Sequence, residues 1–361
     1  VIANRYILLE QIGEGQSGLT YRAEHAVLRS RLAVKILHDE LSQDEQAVQR
    51  YHQAITTAAR IESDNVVKVS DFGRTDDGKL FVAMELLSGE TLAEILAREG
   101  RLEEERSVTI LEQVSDALGE AHELGLLHGD IRPRNIFISK RRNREVVKLL
   151  DLGLANLWAR AANQGKRANG SAVDPRYVSP EHAKGQPIDK QSDVYALGLV
   201  GYELVNGSPP FVGTGTFDVL SKHVEARPLV LADKLDLISE HYSGAVDRAL
   251  AKRPERRYPT VERFVEALSG RGPVQETPEE KQLREKRRSG MQPAVGPAQA
   301  EAKAQAEADA KRKAEEAKKA EEDAKRKAEE AKKAEDAKRK AEEAKKAEDA
   351  KRKAEEAKKA E

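Results

Sequence analysis

Asp130, Asn135 and Asp151 carry side-chain oxygens in an order that phosphoryl chemistry can use. The first two lie in His128-Gly129-Asp130-Ile131-Arg132-Pro133-Arg134-Asn135, and Asp151-Leu152-Gly153 begins sixteen residues after Asn135. Moving a phosphoryl group onto an alcohol needs an acceptor for the hydroxyl proton and oxygen ligands for Mg2+. Asp130 suits the first role, and Asn135 and Asp151 suit the second. Any one buried Asp is more simply explained as a cap or a turn residue. The ordered set, with Pro133 inside it and a strand expected over Val146 to Leu150 before Asp151, reads as a site.

Upstream, Gly13-Glu14-Gly15-Gln16-Ser17-Gly18 spaces three glycines as Gly-x-Gly-x-x-Gly. Glycine lets backbone approach phosphate oxygens closely. The pattern alone is weak, because most glycine turns are only turns. A dinucleotide-binding fold would need a helix directly after it. Here a strand pattern follows, and then Ala33-Val34-Lys35. A lysine on the third strand, about 20 residues after the loop, is placed to hold α- and β-phosphates.

These residues need a β-rich unit before them and a helical one around them. Tyr6 to Ile12, Leu19 to Ala26 and Leu32 to Leu37 are expected as strands, and residues 43 to 61 carry helical spacing. Val66 to Phe72 and Lys79 to Leu86 are two further strands, turned at Asp77-Gly78. Leu92 to Arg98 and Arg101 to Leu124 follow as helices, with Gly100 and Gly125 at helix ends. The apolar stretch Val194 to Val205 is a buried helix, too short to span a bilayer.

Composition narrows the classes further. Lys and Arg total 62 against 63 Asp and Glu, a net charge of −1 that gives no bias toward nucleic acid or anionic membrane. Cysteine is absent, which excludes disulfides, cysteine-ligated zinc and cysteine nucleophiles and fits a reducing compartment. No signal peptide is visible, so a cytoplasmic location is expected. The chain starts at Val1 and stops inside a repeat, so a longer parent protein, with an anchor beyond either end, stays open.

From residue 5 to about 268 the sequence resembles the bacterial eukaryotic-like (Hanks-type) Ser/Thr protein kinases. The resemblance continues through Tyr177-Val178-Ser179-Pro180-Glu181, Ser192-Asp193-Val194-Tyr195-Ala196-Leu197-Gly198 and Arg257. It implies an α+β bilobal fold, with a small β-rich lobe over 1–87 and a larger helical lobe over 88–270. It implies ATP and Mg2+ as cofactors and a protein substrate or signalling partner. Asp130, Lys35 and Arg132 become the catalytic set. Gly13, Gly15, Gly18, Ala33, Lys35, Met84, Glu85 and Leu87 become the nucleotide contacts, and Asn135 and Asp151 the metal ligands. Glu181 is expected to pair with Arg257, and Asp193 to bind backbone of the catalytic loop.

Six positions depart from the family. Ala54 stands where the helix glutamate that orients the strand lysine is usual, so Lys35 is expected to lack its carboxylate, and Ala54→Glu to raise phosphotransfer at least about tenfold. Arg132 replaces a lysine beside the transferred group. Gly129 replaces the arginine that reads a phosphorylated activation segment, and Ser171 is the sole hydroxyl side chain between Asp151 and Pro175. Control by phosphorylation there is expected to be weak or absent. Asp174 replaces a threonine and is expected to pair with Arg132. Thr20 for valine and Leu152 for phenylalanine are mild. An active, slow kinase and a nucleotide-binding pseudokinase acting as a signalling or scaffold module both fit. A relic lobe in a structural envelope protein is a third reading.

Residues 271–298 form a linker rich in Pro, Gly and charge. Over 299–361 the string AKRKAEEAKKAE recurs from Ala310, Ala324, Ala337 and Ala350. Ala, Lys, Arg and Glu are strong helix formers, and Glu315–Lys319 and Glu321–Lys325 are favourable pairs four apart. No Leu, Ile or Val fills heptad core positions, which disfavours a packed coiled coil. A solvated single helix of ~90 Å is expected, with a low-complexity linker as the alternative and attachment through it as a further role.

Overall fold

Alternation in the third strand decides which face of the small lobe carries chemistry. The computed structural model describes residues 1–15, 17–39, 45–141, 144–153, 174–235 and 237–271. The chain divides into two units, Val1–Gln275 and Glu276–Glu361. The second unit, the expected rod and nearly all of the expected linker lie outside the described residues, as does the segment holding Ser171.

Strands β1 (Tyr6–Gly15), β2 (Gly18–His25), β3 (Arg31–Leu37), β4 (Val69–Arg74) and β5 (Leu80–Met84) make an antiparallel sheet in the order β1-β2-β3-β5-β4. Because successive side chains alternate across a strand, Leu32, Val34 and Ile36 join Tyr6, Ala23, Phe81 and Ala83 in one apolar cluster. Leu37, Leu80 and Val82 face the other way, against Tyr51 and Ile55. Lys35 shares the parity of Leu37. Helix α1 (Glu45–Ala58) supplies that cover, with Val48, Tyr51, Ile55 and Ala58 on the 3.6-residue period.

After β5 the chain enters a second antiparallel sheet of β6 (Gly89–Thr91), β7 (Ile136–Arg141) and β8 (Arg144–Leu149), in the order β6-β7-β8. The sequence reading had the end of β8 but missed β6 and β7. Helix α2 (Leu92–Glu99) starts with a Thr91–Glu94 capping box. Helix α3 (Glu104–Glu123) begins three residues later than expected, and Glu103 caps it without a side-chain bond.

Beyond the site come α4 (Pro180–Ala183), α5 (Lys190–Asn206), α6 (Thr216–Glu225), α7 (Leu231–Lys234), α8 (Glu240–Ala249) and α9 (Val261–Leu268). Helix α5 is buried all round from Ser192 to Val205, which fits its lack of a polar face. It is the axis of the large-lobe core, packed with Leu111, Val114 and Leu118 of α3, Val246 of α8 and Phe264 of α9. The architecture is the expected α+β bilobal one.

Candidate active site

The segment around Asp130 is fixed from behind by Asp193, near the start of α5. Asp193 accepts the His128 amide at 3.0 Å, the Gly129 amide at 2.9 Å and His122 Nε2 at 2.8 Å. It is 1% exposed, so these donors meet the carboxylate with water excluded. The Asp130 amide donates to His128 Nδ1 at 3.2 Å, which leaves His128 Nε2 to donate to the Leu150 carbonyl at 2.9 Å. Burial holds the His128 imidazole below its ordinary pKa, against the pull of Asp193. Gly129 has φ 71°, a backbone conformation that favours glycine over the arginine usual there.

Asp130 itself is asymmetric. Its Oδ2 accepts from Asn135 Nδ2 at 2.9 Å and lies 3.2 Å from Arg132 Nη2. Its Oδ1 is buried without a partner among the described residues. A buried carboxylate oxygen left unpaired is costly, and here it is the atom available to take a proton. Burial pushes the Asp130 carboxyl up to about 7, against the opposing effect of Arg132 and Asn135. Asn135 spends its amide nitrogen on the Asp130 carboxylate and main-chain carbonyl. Its amide oxygen is the atom left to meet a cation.

On the opposite side, Lys35 Nζ donates to both carboxylate oxygens of Asp151, at 2.5 and 2.7 Å. The expectation that Lys35 lacks an orienting carboxylate is therefore corrected: Asp151 supplies it. Asp151 has φ 61°, a left-handed conformation uncommon outside glycine and typical of functional strain. Ala54, 4% exposed, packs on the turn after it: a Cβ at Gly153 would stand 2.8 Å from the Ala54 Cβ. A longer side chain at 54 aimed toward Gly153 would have to move α1 or the turn. That close packing works against the expected gain from Ala54→Glu.

Asp174 also behaves differently from expectation. Its carboxylate pairs with Arg176, at 2.9 Å to Nε and 2.6 Å to Nη2, and caps the 3-10 turn Pro175–Tyr177 through the Arg176 amide. Burial alone would raise the Asp174 pKa, but the Arg176 bonds more than offset this and hold it low. The neighbouring sequence offered a nearer cation than Arg132, two residues away on the same turn.

The three glycines divide. A Cβ at Gly18 would run into the Ile36 carbonyl, so the fold itself requires glycine there. At Gly13 and Gly15 the nearest atoms to such a Cβ are 3.8 and 3.9 Å away, so packing does not require glycine at either. Their bareness is what a phosphate cradle would use. Across the sheet Thr20 pairs with Lys35, and Ala33 with Met84, which sets Lys35 and the Ala33–Met84 pair along one wall. At Glu85 and Leu87, among the described residues, neither the Glu85 carbonyl nor the Leu87 amide is engaged. Those are the acceptor and donor that a planar heteroaromatic edge would need.

The remaining family position agrees with expectation. Glu181 accepts from Arg257 at 2.8 Å through both oxygens and from Ser192 at 2.5 Å. Burial opposes ionisation of Glu181, but Arg257 and Ser192 win and bring its pKa down to about 2.

Sequence reasoning missed two residues here, His122 and Lys148. Lys148 is 1% exposed and donates to Glu85 at 2.7 Å. A lysine inside the otherwise apolar Val146–Leu149 run was the available signal.

Residues 6–268 match the family model described as protein kinase domain. The chain belongs to the protein kinase family. Over 269 residues this kinase is 37% identical to the serine/threonine-protein kinase pkn3 of Myxococcus xanthus, covering 73% of this chain and 49% of that one. It is 33% identical to the serine/threonine-protein kinase PknB of Mycobacterium tuberculosis over 263 residues, covering 72% and 42%. The kinase thus spans about half, or less, of the length of these curated relatives. Among solved structures, the PknI kinase domain of Mycobacterium tuberculosis superposes with TM-score 0.61 at 26% identity, covering 75% of this chain and 98% of that one. The relatives place the kinase among the bacterial Hanks-type proteins. Among the described residues no helix is long and apolar enough to cross a membrane.

Proposed function

We propose that this kinase transfers a phosphoryl group from Mg-ATP to Ser or Thr hydroxyls of a protein substrate. The observation that carries the reading is the unpaired, buried Oδ1 of Asp130, on a carboxyl that feels the charge of the same Asp151 that pairs with Lys35. Bound Mg-ATP would supply the phosphoryl group and the metal's charge.

The chain's own residues divide the remaining work. Asp130 accepts the proton released when the substrate hydroxyl attacks, and a pKa near neutrality suits a general base. Arg132, beside Asp130, offsets part of the negative charge that builds up. Asn135 and Asp151 present oxygens to the metal. The backbone of Gly13, Gly15 and Gly18 and the ammonium of Lys35 hold phosphates. Ala33, Met84, Glu85 and Leu87 take the base. Lys35 rests on Asp151 beforehand, so it enters the reaction already aimed, which lowers the ordering needed at the transition state.

The test pairs a Mg-dependent ATP thermal shift with a radiolabelled phosphotransfer assay on autophosphorylation and a generic basic protein. Stabilisation with label transfer supports the reading. Stabilisation without transfer would make the domain a nucleotide-binding pseudokinase, and neither result would make it a relic.

A further inference from the structure

The Lys148 ammonium lies almost wholly out of water at the junction of the two lobes. Burying a charge is strongly unfavourable unless it is paired and hydrogen-bonded. Lys148 Nζ donates to the Glu85 carboxylate at 2.7 Å and to the Val66 carbonyl at 3.3 Å. Glu85 is the hub of this arrangement. Its carboxylate also accepts the Lys68 amide at 2.9 Å, and its own amide donates to the Lys68 carbonyl at 3.0 Å.

Three segments are thereby cross-linked. Residues 65–68 run beside the end of β8, with the Leu149 amide donating to the Asn65 carbonyl at 2.7 Å and the Val67 amide to the Leu149 carbonyl at 3.1 Å. Glu85 follows β5 and opens the connection to the large lobe. Strand β8 ends at Leu149, two residues before Asp151. With both the amide and the side chain of Glu85 committed to Lys68 and Lys148, its carbonyl is the polar group left over, and the Leu87 amide stands two residues on.

We propose that the Lys148–Glu85 pair is a positioning device for nucleotide selection. It fixes the turn at Glu85 so that the Glu85 carbonyl and the Leu87 amide can read an aminopurine edge. It also ties that turn to the strand that delivers Asp151. This rests on the nucleotide-binding reading above. Neither residue need touch the reacting atoms.

The test uses the full chain with Mg-ATP and Mg-GTP as probes. Lys148→Met keeps the length of the side chain and removes the charge, leaving the Glu85 carboxylate to swing away from Lys68. ATP affinity is expected to fall about five- to tenfold, roughly the worth of one hydrogen bond. The ATP-over-GTP preference should shrink, and kcat should stay within about twofold. Glu85→Gln, which can still accept both donors, should restore most of the preference when compared with Lys148→Met, and it keeps the test usable if the methionine variant does not fold. An unchanged ATP-to-GTP ratio in both variants, with only a lower melting temperature, would overturn the inference and leave the pair as structural. A wild-type chain that binds neither nucleotide would overturn it together with the nucleotide reading, so the two failures are told apart.

Discussion

On the large-lobe wall of the cleft, Asp193 gathers His122 and the amides of His128 and Gly129, while Glu181 and Arg257 lock the segment beyond it. On the small-lobe wall, Lys35 is held by one carboxylate, and that carboxylate belongs to a metal-ligand candidate. The wall proposed to take the proton is thus fixed by a buried network, whereas the Lys35 side proposed to meet phosphate rests on a single exchangeable pair. Ala54 is the residue behind that difference. It removes a dedicated partner for Lys35 and lets α1 close on Gly153. Preorganisation is kept where geometry must be accurate, and a shared group suffices where ligands bring their own charge.

The largest effect should come from Asp130→Asn. Phosphotransfer is expected to fall by about 10^2 to 10^4 with ATP affinity retained, checked by single-turnover label transfer and calorimetry. The same substitution should stabilise the fold at neutral and alkaline pH. The folded carboxyl titrates near 7 against an ordinary 3.8, so between those values the folded state holds a proton the unfolded chain has lost, and stability falls as pH rises. Asparagine removes that loss. A lower melting temperature for Asp130→Asn at pH 8 would contradict the assignment.

Next comes Asp193→Ala, which strands three buried donors and should cost about 3 kcal/mol or more in urea unfolding. If it costs less than 1 kcal/mol, the large-lobe wall is no better fixed than the small-lobe one. Ala54→Glu should lower phosphotransfer about tenfold, through displacement of α1 and repulsion from Asp151. A gain would show that the helix moves outward freely and that the shared pair is a makeshift.

The smallest effect concerns pH. The acid limb of kcat/KM should lie near pH 7, because the ionised form of Asp130 is the base. Arg132 stabilises that ionised form, so Arg132→Ala should move the limb to higher pH in whatever activity remains. A shift to lower pH would remove Arg132 from the role given to it.

Much of this was legible from residue order. His128 to Asn135, Asp151 and the glycine loop mark a cleft because few other arrangements require that sequence of oxygens, amides and bare backbone. The strands of the small lobe also followed from their residue pattern, and the buried helix α5 from its continuous apolar stretch. Partnerships between distant residues did not. Nothing in the sequence says that Asp151 rather than another carboxylate meets Lys35, since that depends on how closely α1 sits on Gly153. Asp174 was assigned to Arg132 because family position outweighed the local turn that puts Arg176 within reach. Strands β6 and β7 were missed because Gly89–Thr91 is three residues long and β7 follows directly on the Pro133–Asn135 turn.

The left-handed backbone at Asp151 narrows which amino acids can occupy that point of the chain. Glycine tolerates the conformation but offers no oxygen, and most other side chains would be strained there by about 1 kcal/mol or more. Aspartate and asparagine alone combine the torsion with a donor atom for a cation. Asparagine at 151 therefore changes the charge while keeping an oxygen and the torsion, whereas alanine adds torsional strain and loss of the Lys35 bond to the loss of charge.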